Sequence, residues 1–297
     1  MSIIEKAISK LEKEVGNQTA KASSRTKLKT NRESKPKPES IQEEGLNVNQ
    51  ASLDEHVYES AQANYINIDL DRLSRLGIVT PDQGKTQIAE QFRIIKRPLL
   101  TKAFAKKNNN LIMISSAVAG EGKSFCSVNL AMSIASEMDH RVLLIDADVA
   151  RPSIPNLLGF KNEKGLMDML LGESIDVADV LIKTNVGKLS LITSGTAHSH
   201  ATELLASQTM IMLLEELAQR YNDRIVIFDA PPILMTSEAR VLAERMGQIV
   251  LVVEAERTTQ QALSHVISQF NSKANINLIY NKVRTFSGGE YYGYYYS

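Results

Sequence analysis

Two hydrophobic patterns alternate along most of the chain. Continuous apolar runs, each typical of a buried parallel strand, recur from residue 111 onward. They predict strands at 111–114, 141–145 and 224–228, and further strands are expected at 189–193, 249–254 and 278–282. Apolar residues at helical spacing between these runs predict helices after residue 124 and over 203–221, 238–246 and 260–270. Strands that alternate with helices indicate an α/β fold in which a mostly parallel sheet carries helices on both faces.

The first 80 residues follow other patterns. Residues 3–15 predict a short amphipathic helix that stops at Gly16. A helix this short needs a covering surface: a partner protein, a membrane or the chain's own core. The lack of Trp and Phe favours a protein partner. Residues 17–49 are polar and rich in Lys, which predicts a flexible linker, and a further short helix is expected to end at Gly77. The predicted organisation is an N-terminal arm over 1–65, an α/β domain over 66–285 and a tail over 286–297.

Residues 87–100 also repeat at helical spacing and predict a helix that is broken at Pro98. Glu90, Arg93 and Lys96 follow one another at intervals of three residues, away from the apolar face. By itself this pattern indicates a charged surface in contact with solvent.

The composition argues against several classes of protein but does not indicate a function. The chain has 297 residues, 43% of them hydrophobic, and a formal net charge of zero, which argues against a nucleic-acid partner. Cys126 is the single cysteine, so an intramolecular disulfide is excluded, and a small buried side chain is its expected role. No stretch has the length and apolarity of a transmembrane helix, and no signal peptide is recognised. The expected location is cytoplasmic, with only peripheral membrane contact.

The clearest chemical signal is AVAGEGKS at residues 117–124, between a predicted strand and a predicted helix. A strand, a Gly-containing loop that ends in Gly-Lys-Ser and a helix make up a P-loop. Its backbone N–H groups can surround phosphate oxygens, Lys123 can reach the β- and γ-phosphates, and the Ser124 hydroxyl can ligate Mg²⁺. Ala117 stands where the common motif opens with Gly. The alternative is a Gly-rich turn that binds nothing.

Acidic residues follow two of the predicted strands. Asp146 and Asp148 come after the run 141–145, and carboxylates at this spacing can reach Mg²⁺ and an attacking hydroxyl together. The alternative for either is a helix N-cap. Asp229 ends the run 224–228, as in a Walker B motif, whose carboxylate holds the metal directly or through water.

The end of the chain is rich in tyrosine. Five of the nine Tyr residues lie in the last seven positions, after a Ser-Gly-Gly-Glu spacer. A disordered aromatic tail is one interpretation. In a phosphate-binding protein, the favoured one is a set of phosphoryl acceptors: Tyr291, Tyr292, Tyr294, Tyr295 and Tyr296.

Together these motifs resemble those of the bacterial tyrosine kinases (BY-kinases), and more narrowly the stand-alone tyrosine autokinases of exopolysaccharide export systems, including those associated with exosortase. Residues 119–124 resemble the family's Walker A motif, with Ala119 in place of a usual Pro. Residues 143–151 resemble its second aspartate motif, with Ala150 where Arg is frequent, and residues 227–232 resemble its Walker B. Glu90, Arg93 and Lys96 resemble a Glu-x-x-Arg-x-x-Arg oligomerisation motif whose last Arg is Lys.

The resemblance implies an ATP- and Mg²⁺-dependent autokinase that phosphorylates its C-terminal tyrosines between subunits and regulates polysaccharide synthesis or export. The implied catalytic residues are Lys123, Asp146 and Asp148, and the implied metal ligands are Ser124, Asp146 and Asp229. The implied nucleotide contacts are Ala119, Gly120, Glu121, Gly122, Lys123, Ser124, Phe125 and, at the adenine, Asn281. The implied partners are other copies of the chain in a ring, a membrane-bound polysaccharide chain-length or export protein as activator, and a phosphatase.

Two other classes of protein share parts of this pattern. ATPase switches of the MinD/ParA type carry a second lysine early in the P-loop, where this chain has Val118. A non-kinase scaffold of an export complex is the other alternative, against which the intact Lys123, Asp146, Asp148 and Asp229 argue.

Overall fold

A computed structural model describes residues 64–82, 86–172, 175–219, 223–270 and 274–284. In this part of the chain, eight strands form one sheet in the order β1-β4-β5-β3-β6-β2-β7-β8. All neighbouring strands are parallel except β4 and β5. The strands are β1 (Tyr65–Ile66), β2 (Leu111–Ser116), β3 (Arg141–Asp146), β4 (Ile182–Thr184), β5 (Leu189–Ile192), β6 (Arg224–Asp229), β7 (Gln248–Glu254) and β8 (Ile276–Asn281).

The helices connect these strands. They are α1 (Leu70–Arg75), α2 (Gln87–Ala103), α3 (Lys123–Ala135), α4 (Ile154–Leu158), α5 (Leu166–Leu171), α6 (Val177–Val180), α7 (Ala201–Ala206), α8 (Gln208–Gln219), α9 (Ser237–Ala243) and α10 (Gln260–Ser268). None of the helices in the described segments is both long enough and apolar enough to pass through a lipid bilayer.

The core lies on both faces of the sheet. Along β2, Ile112 and Ile114 face one apolar cluster, which includes side chains of α1, α2 and α3. Leu111 and Met113 face a second cluster, which includes side chains of α5, α8 and α9. The central strands are mostly apolar because both of their faces are buried, which confirms the predicted fold class. Cys126 is buried as expected, and burial, helped by Asp229, raises the pKa of its thiol to about 12.

Some helix boundaries differ from the predictions. The helix over 87–100 was expected to break at Pro98, but α2 continues to Ala103. Pro98 has no N–H group to donate to the Ile94 carbonyl. Both residues are exposed, so water can donate a hydrogen bond to that carbonyl instead. The helix expected over 203–221 is interrupted at Ser207 and forms α7 and α8. The short elements β1, β4, α4, α5 and α6 were not predicted, because each is too short to show a period.

Lys96 corrects the prediction of one exposed charged strip on α2. Glu90 and Arg93 are exposed and form an ion pair of 2.6 Å, whereas Lys96 is only 3% exposed. The Lys96 Nζ donates to the Ser133 carbonyl at 2.6 Å and pairs with Glu137 at 2.5 Å. Each step of three residues turns about 60° backwards around a helix, so Lys96 lies about 120° from Glu90 and points toward α3.

Several predictions concern residues outside the described segments. These are the N-terminal amphipathic helix, the linker over 17–49 and the tyrosines from Tyr291 to Tyr296. The proposed boundaries at 65/66 and 285/286 remain predictions.

Candidate active site

The P-loop joins β2 to α3 at the carboxyl edge of the sheet. Gly120 and Gly122 have φ values of +90° and +96°, a left-handed conformation that costs glycine little and other residues more. Gly122 is also the N-cap of α3, so the loop ends at the positive end of that helix. This arrangement of a glycine loop and a helix N-terminus is the one the sequence predicted, and it is suited to phosphate.

Lys123, the first residue of α3, is held between acidic groups. Its Nζ lies 2.7 Å from Asp148 Oδ2 and 3.3 Å from Ser124 Oγ. Burial acts to lower the pKa of Lys123, but the carboxylates of Asp229 and Asp148 outweigh it, and the pKa is raised. The Lys123 side chain is therefore positively charged at neutral pH, next to the loop.

Asp146 and Asp229 end the neighbouring strands β3 and β6 and face each other in register. Both are fully buried. The Asp146 carboxylate accepts hydrogen bonds from the backbone N–H groups of Asp148, Ser153 and Ile154 at 3.0 to 3.2 Å. Burial, and secondly the Asp229 carboxylate, raise the pKa of Asp146 to about 7. Burial also raises the pKa of Asp229.

These carboxylates fit a divalent cation. Asp229 Oδ1 accepts a hydrogen bond from Ser127 Oγ at 2.9 Å, while its buried Oδ2 has no hydrogen-bond partner among the described residues. Lys123 offsets part of the negative charge of this carboxylate pair, and a cation can offset more of it, because carboxylate and hydroxyl oxygens are the ligands that Mg²⁺ uses. Of the predicted metal ligands, Asp146 and Asp229 lie together, and Ser124 lies on the same edge of the sheet.

A cleft of about 850 Å³ opens beside the loop. Asp148 faces it, as do Arg72 and Arg151, which the sequence did not assign to the cleft. An apolar wall formed by Leu76, Pro232 and Met235 lies on the same cleft. Six of the predicted nucleotide contacts also line it: Ala119, Gly120, Gly122, Lys123, Ser124 and Phe125.

Two predicted nucleotide contacts are placed differently. The carboxylate of Glu121 is buried, accepts the Val118 N–H at 2.9 Å and bonds the Thr258 hydroxyl. Asn281 is outside the described lining of the cleft, and its Nδ2 donates to the Glu121 carbonyl at 2.9 Å. It faces a second groove, between α2 and β8. The Glu121 side chain therefore supports the loop, and the adenine contact of Asn281 stays a prediction.

Three residues that shape the site were not predicted from the sequence. Ser127 holds Asp229, Ser153 Oγ lies 2.6 Å from Ser124 Oγ, and Thr258 bonds Glu121. Ser127 lies three residues after Ser124 on α3, so the spacing of one helical turn was a usable clue. Ser153 and Thr258 belong to loops that only the folded chain brings to the P-loop.

Comparison with known proteins agrees with this geometry. The model of the AAA domain family matches residues 109–280. Tyrosine-protein kinase YwqD of Bacillus subtilis is 33% identical over 184 residues, which are 62% of this chain and 76% of that protein. A putative tyrosine-protein kinase EpsB of Ralstonia solanacearum is also 33% identical, over 61% of this chain, but the chain spans only about a quarter (24%) of that relative's length.

A solved structure extends the likeness to the whole fold. The kinase domain of the Escherichia coli tyrosine kinase ETK matches with a TM-score of 0.56 and 27% identity, over 75% of this chain and 97% of that domain. The P-loop, the two strands that end in Asp146 and Asp229, and these matches lead to one conclusion. The chain belongs to the bacterial tyrosine kinase (BY-kinase) family.

Proposed function

We propose that the chain is an ATP- and Mg²⁺-dependent protein-tyrosine autokinase whose acceptors are the tyrosines of its own C-terminal tail. One observation carries most of the proposal. The charged Nζ of Lys123 and the carboxylate of Asp148 lie on one cleft, beside the P-loop and the buried pair Asp146 and Asp229. A phosphate donor and a hydroxyl acceptor can therefore meet between a cation and a base.

In this mechanism the tyrosine oxygen forms a bond to the γ-phosphorus while the bond from that phosphorus to the β–γ bridging oxygen breaks, and ADP leaves. The P-loop N–H groups and Lys123 bind the phosphate oxygens. Lys123 is paired with Asp148 in the free protein, so its transfer to phosphate releases the Asp148 carboxylate to receive the phenol proton. Bound Mg²⁺ supplies positive charge to the phosphate oxygens.

Asp146 and Asp148 have separate parts in this proposal. Asp148 faces the cleft, and its position suits orientation and deprotonation of the acceptor hydroxyl. Asp146 is buried against Asp229, and with Asp229 and Ser124 it would hold the metal. Because the pKa of Asp146 is about 7, a proton competes with the metal at and below neutral pH.

The direct test is incubation of the purified chain with Mg²⁺ and ATP, followed by mass spectrometry of its phosphopeptides. Phosphotyrosine is expected within Tyr291–Tyr296 and absent from a matched sample without Mg²⁺. An Asp229→Asn variant is the active-site control, since it keeps the shape of the carboxylate but removes a charge at the metal site. Hydrolysis of ATP without any phosphotyrosine would instead favour an ATPase switch of the MinD/ParA type.

Assembly between subunits is a further part of the proposal, since a ring would let one tail reach the next active site. Glu90 and Arg93 are the exposed residues suited to a contact, while Lys96 is committed to Glu137 within the subunit. A Glu90→Ala/Arg93→Ala double variant with Lys96 intact is expected to shift the mass from oligomer to monomer in multi-angle light scattering.

The matched control for assembly is Lys107→Ala/Glu215→Ala, which removes another exposed ion pair without changing the net charge. The control should keep the oligomer of the wild type. Equal masses for the wild type and both variants would return Glu90 and Arg93 to the role of a solvent-exposed pair. The proposed activator and location, a polysaccharide export protein at the inner face of the cell membrane, rest on the family resemblance of the sequence motifs.

A further inference from the structure

The P-loop is held from its outer side by the ends of β7 and β8. Lys282, directly after β8, donates from Nζ to the Gly120 carbonyl at 2.6 Å. The same Nζ pairs with Glu254 at the end of β7, at 3.1 Å. Next to it, Asn281 Nδ2 donates to the Glu121 carbonyl at 2.9 Å. Two successive carbonyls of the loop are therefore occupied by donors from one strand end.

Peptide geometry gives these contacts a consequence for phosphate. In a trans peptide the C=O and the following N–H point in opposite directions. When Lys282 and Asn281 hold the carbonyls of Gly120 and Glu121 on the outer side, the N–H groups of Glu121 and Gly122 turn to the other side. That side is the cleft, which Gly120, Gly122 and Lys123 line.

The backbone at this point is costly to form. Lys282 has a φ of +57°, a left-handed conformation that is uncommon for a residue with a Cβ. Gly122 lies so close to Asn281 that a Cβ there would be 2.2 Å from Asn281 Nδ2. The strained Lys282 and the glycine required by Asn281 lie at two adjacent contacts of the same strand end with the P-loop, which indicates that these contacts serve the loop.

We infer that Lys282 and Asn281 are positioning residues that orient the phosphate-binding N–H groups of the P-loop. They act through the loop and not on the nucleoside. The inference rests on nucleotide binding at the P-loop, which is part of the proposed function, but it does not depend on transfer to tyrosine. It also gives Asn281 a role other than the adenine contact that the family resemblance suggested.

The test compares ATP with inorganic tripolyphosphate, which has phosphates but no base. Competition against a fluorescent ATP analogue, with Mg²⁺ and the full chain, gives the affinity for each. Lys282→Met removes the donor and keeps the aliphatic stem, and is expected to weaken both ligands by a similar factor of about ten. Asn281→Ala is expected to weaken both ligands in the same proportion.

The chain offers a matched control and a rescue. Arg257 also pairs with Glu254, at 3.4 Å, and among the described residues it makes no hydrogen bond to the P-loop, so Arg257→Met should leave both affinities within about twofold of the wild type. Lys282→Arg keeps a donor and should recover most of the lost affinity. If Lys282 had only a structural role, Lys282→Met would lower the unfolding temperature of the nucleotide-free protein. Arg257→Met, which removes another partner of Glu254, would then weaken ligand binding to a similar degree.

The outcomes separate the possibilities. Unchanged tripolyphosphate binding in Lys282→Met would overturn the inference, and so would failure of tripolyphosphate to compete in the wild type. Loss of ATP binding alone in Asn281→Ala would make Asn281 a base contact and overturn its positioning role. If the binding results are as expected but no phosphotyrosine forms, the tyrosine-kinase proposal fails while this inference stands.

Discussion

Replacement of Lys123 with Met is expected to lower the rate of phosphotyrosine formation by at least about a hundredfold. The variant lacks the positive charge that stabilises the phosphoryl group during its transfer. The Lys123 side chain is only 13% exposed, so its charge acts in a region of low dielectric and water replaces it poorly. The measurement is phosphotyrosine formed per subunit over time with Mg²⁺ and ATP. Undiminished phosphorylation in a folded variant would overturn the active-site model.

The main difficulty with this variant is stability. Without Lys123, the buried Asp148 loses its ion-pair partner, and a charge left alone in this way can cost several kcal/mol. The double variant Lys123→Met/Asp148→Asn removes both charges. Its unfolding temperature is expected to recover toward the wild-type value while its activity stays lost. If the double variant is as stable as the wild type but inactive, the loss of activity is due to the missing catalytic groups and not to unfolding.

Removal of residues 287–297 is expected to abolish nearly all self-phosphorylation while Mg²⁺–ATP binding remains. The deleted segment contains every proposed acceptor tyrosine and no aliphatic residue, so its loss should cost the fold little. The truncated chain should still phosphorylate the tail of a Lys123→Met protein supplied in trans. The measurement is phosphotyrosine on that inactive acceptor.

The matched control keeps the tail and replaces Tyr291, Tyr292, Tyr294, Tyr295 and Tyr296 with Phe. It preserves the aromatic rings and removes only the hydroxyl groups, so it should behave like the truncated chain. If the acceptor gains no phosphotyrosine although both proteins are folded and bind nucleotide, transfer between subunits is excluded. An ATPase switch would then be the better hypothesis, with hydrolysis linked to dimerisation as its output.

The sequence was sufficient for six of the eight described strands and for the main parts of the site. Central parallel strands are buried on both faces, so their middle positions are apolar, and β2, β3 and β6 were visible as runs of this kind. Ligands of α/β sheets bind at the carboxyl ends of strands, which pointed to Asp146 and Asp148, and the resemblance to the BY-kinases implied that Asp146 and Asp229 share a metal. The P-loop was recognisable because its glycines and lysine are required at fixed spacing.

Other features depend on contacts between distant parts of the chain. Lys96 belongs to a charged repeat by spacing, yet the packing of α2 on α3 buries it against Ser133 and Glu137. No spacing rule connects Lys282 with Gly120, which lie 162 positions apart. Local pattern depends on neighbouring residues, so the sequence alone determined the six longer strands, the P-loop and the acidic strand ends of this protein. Only the tertiary structure decided which carbonyls, carboxylates and cations meet, because hydrogen bonds and ion pairs depend on distances that the packing of α2 and β8 sets.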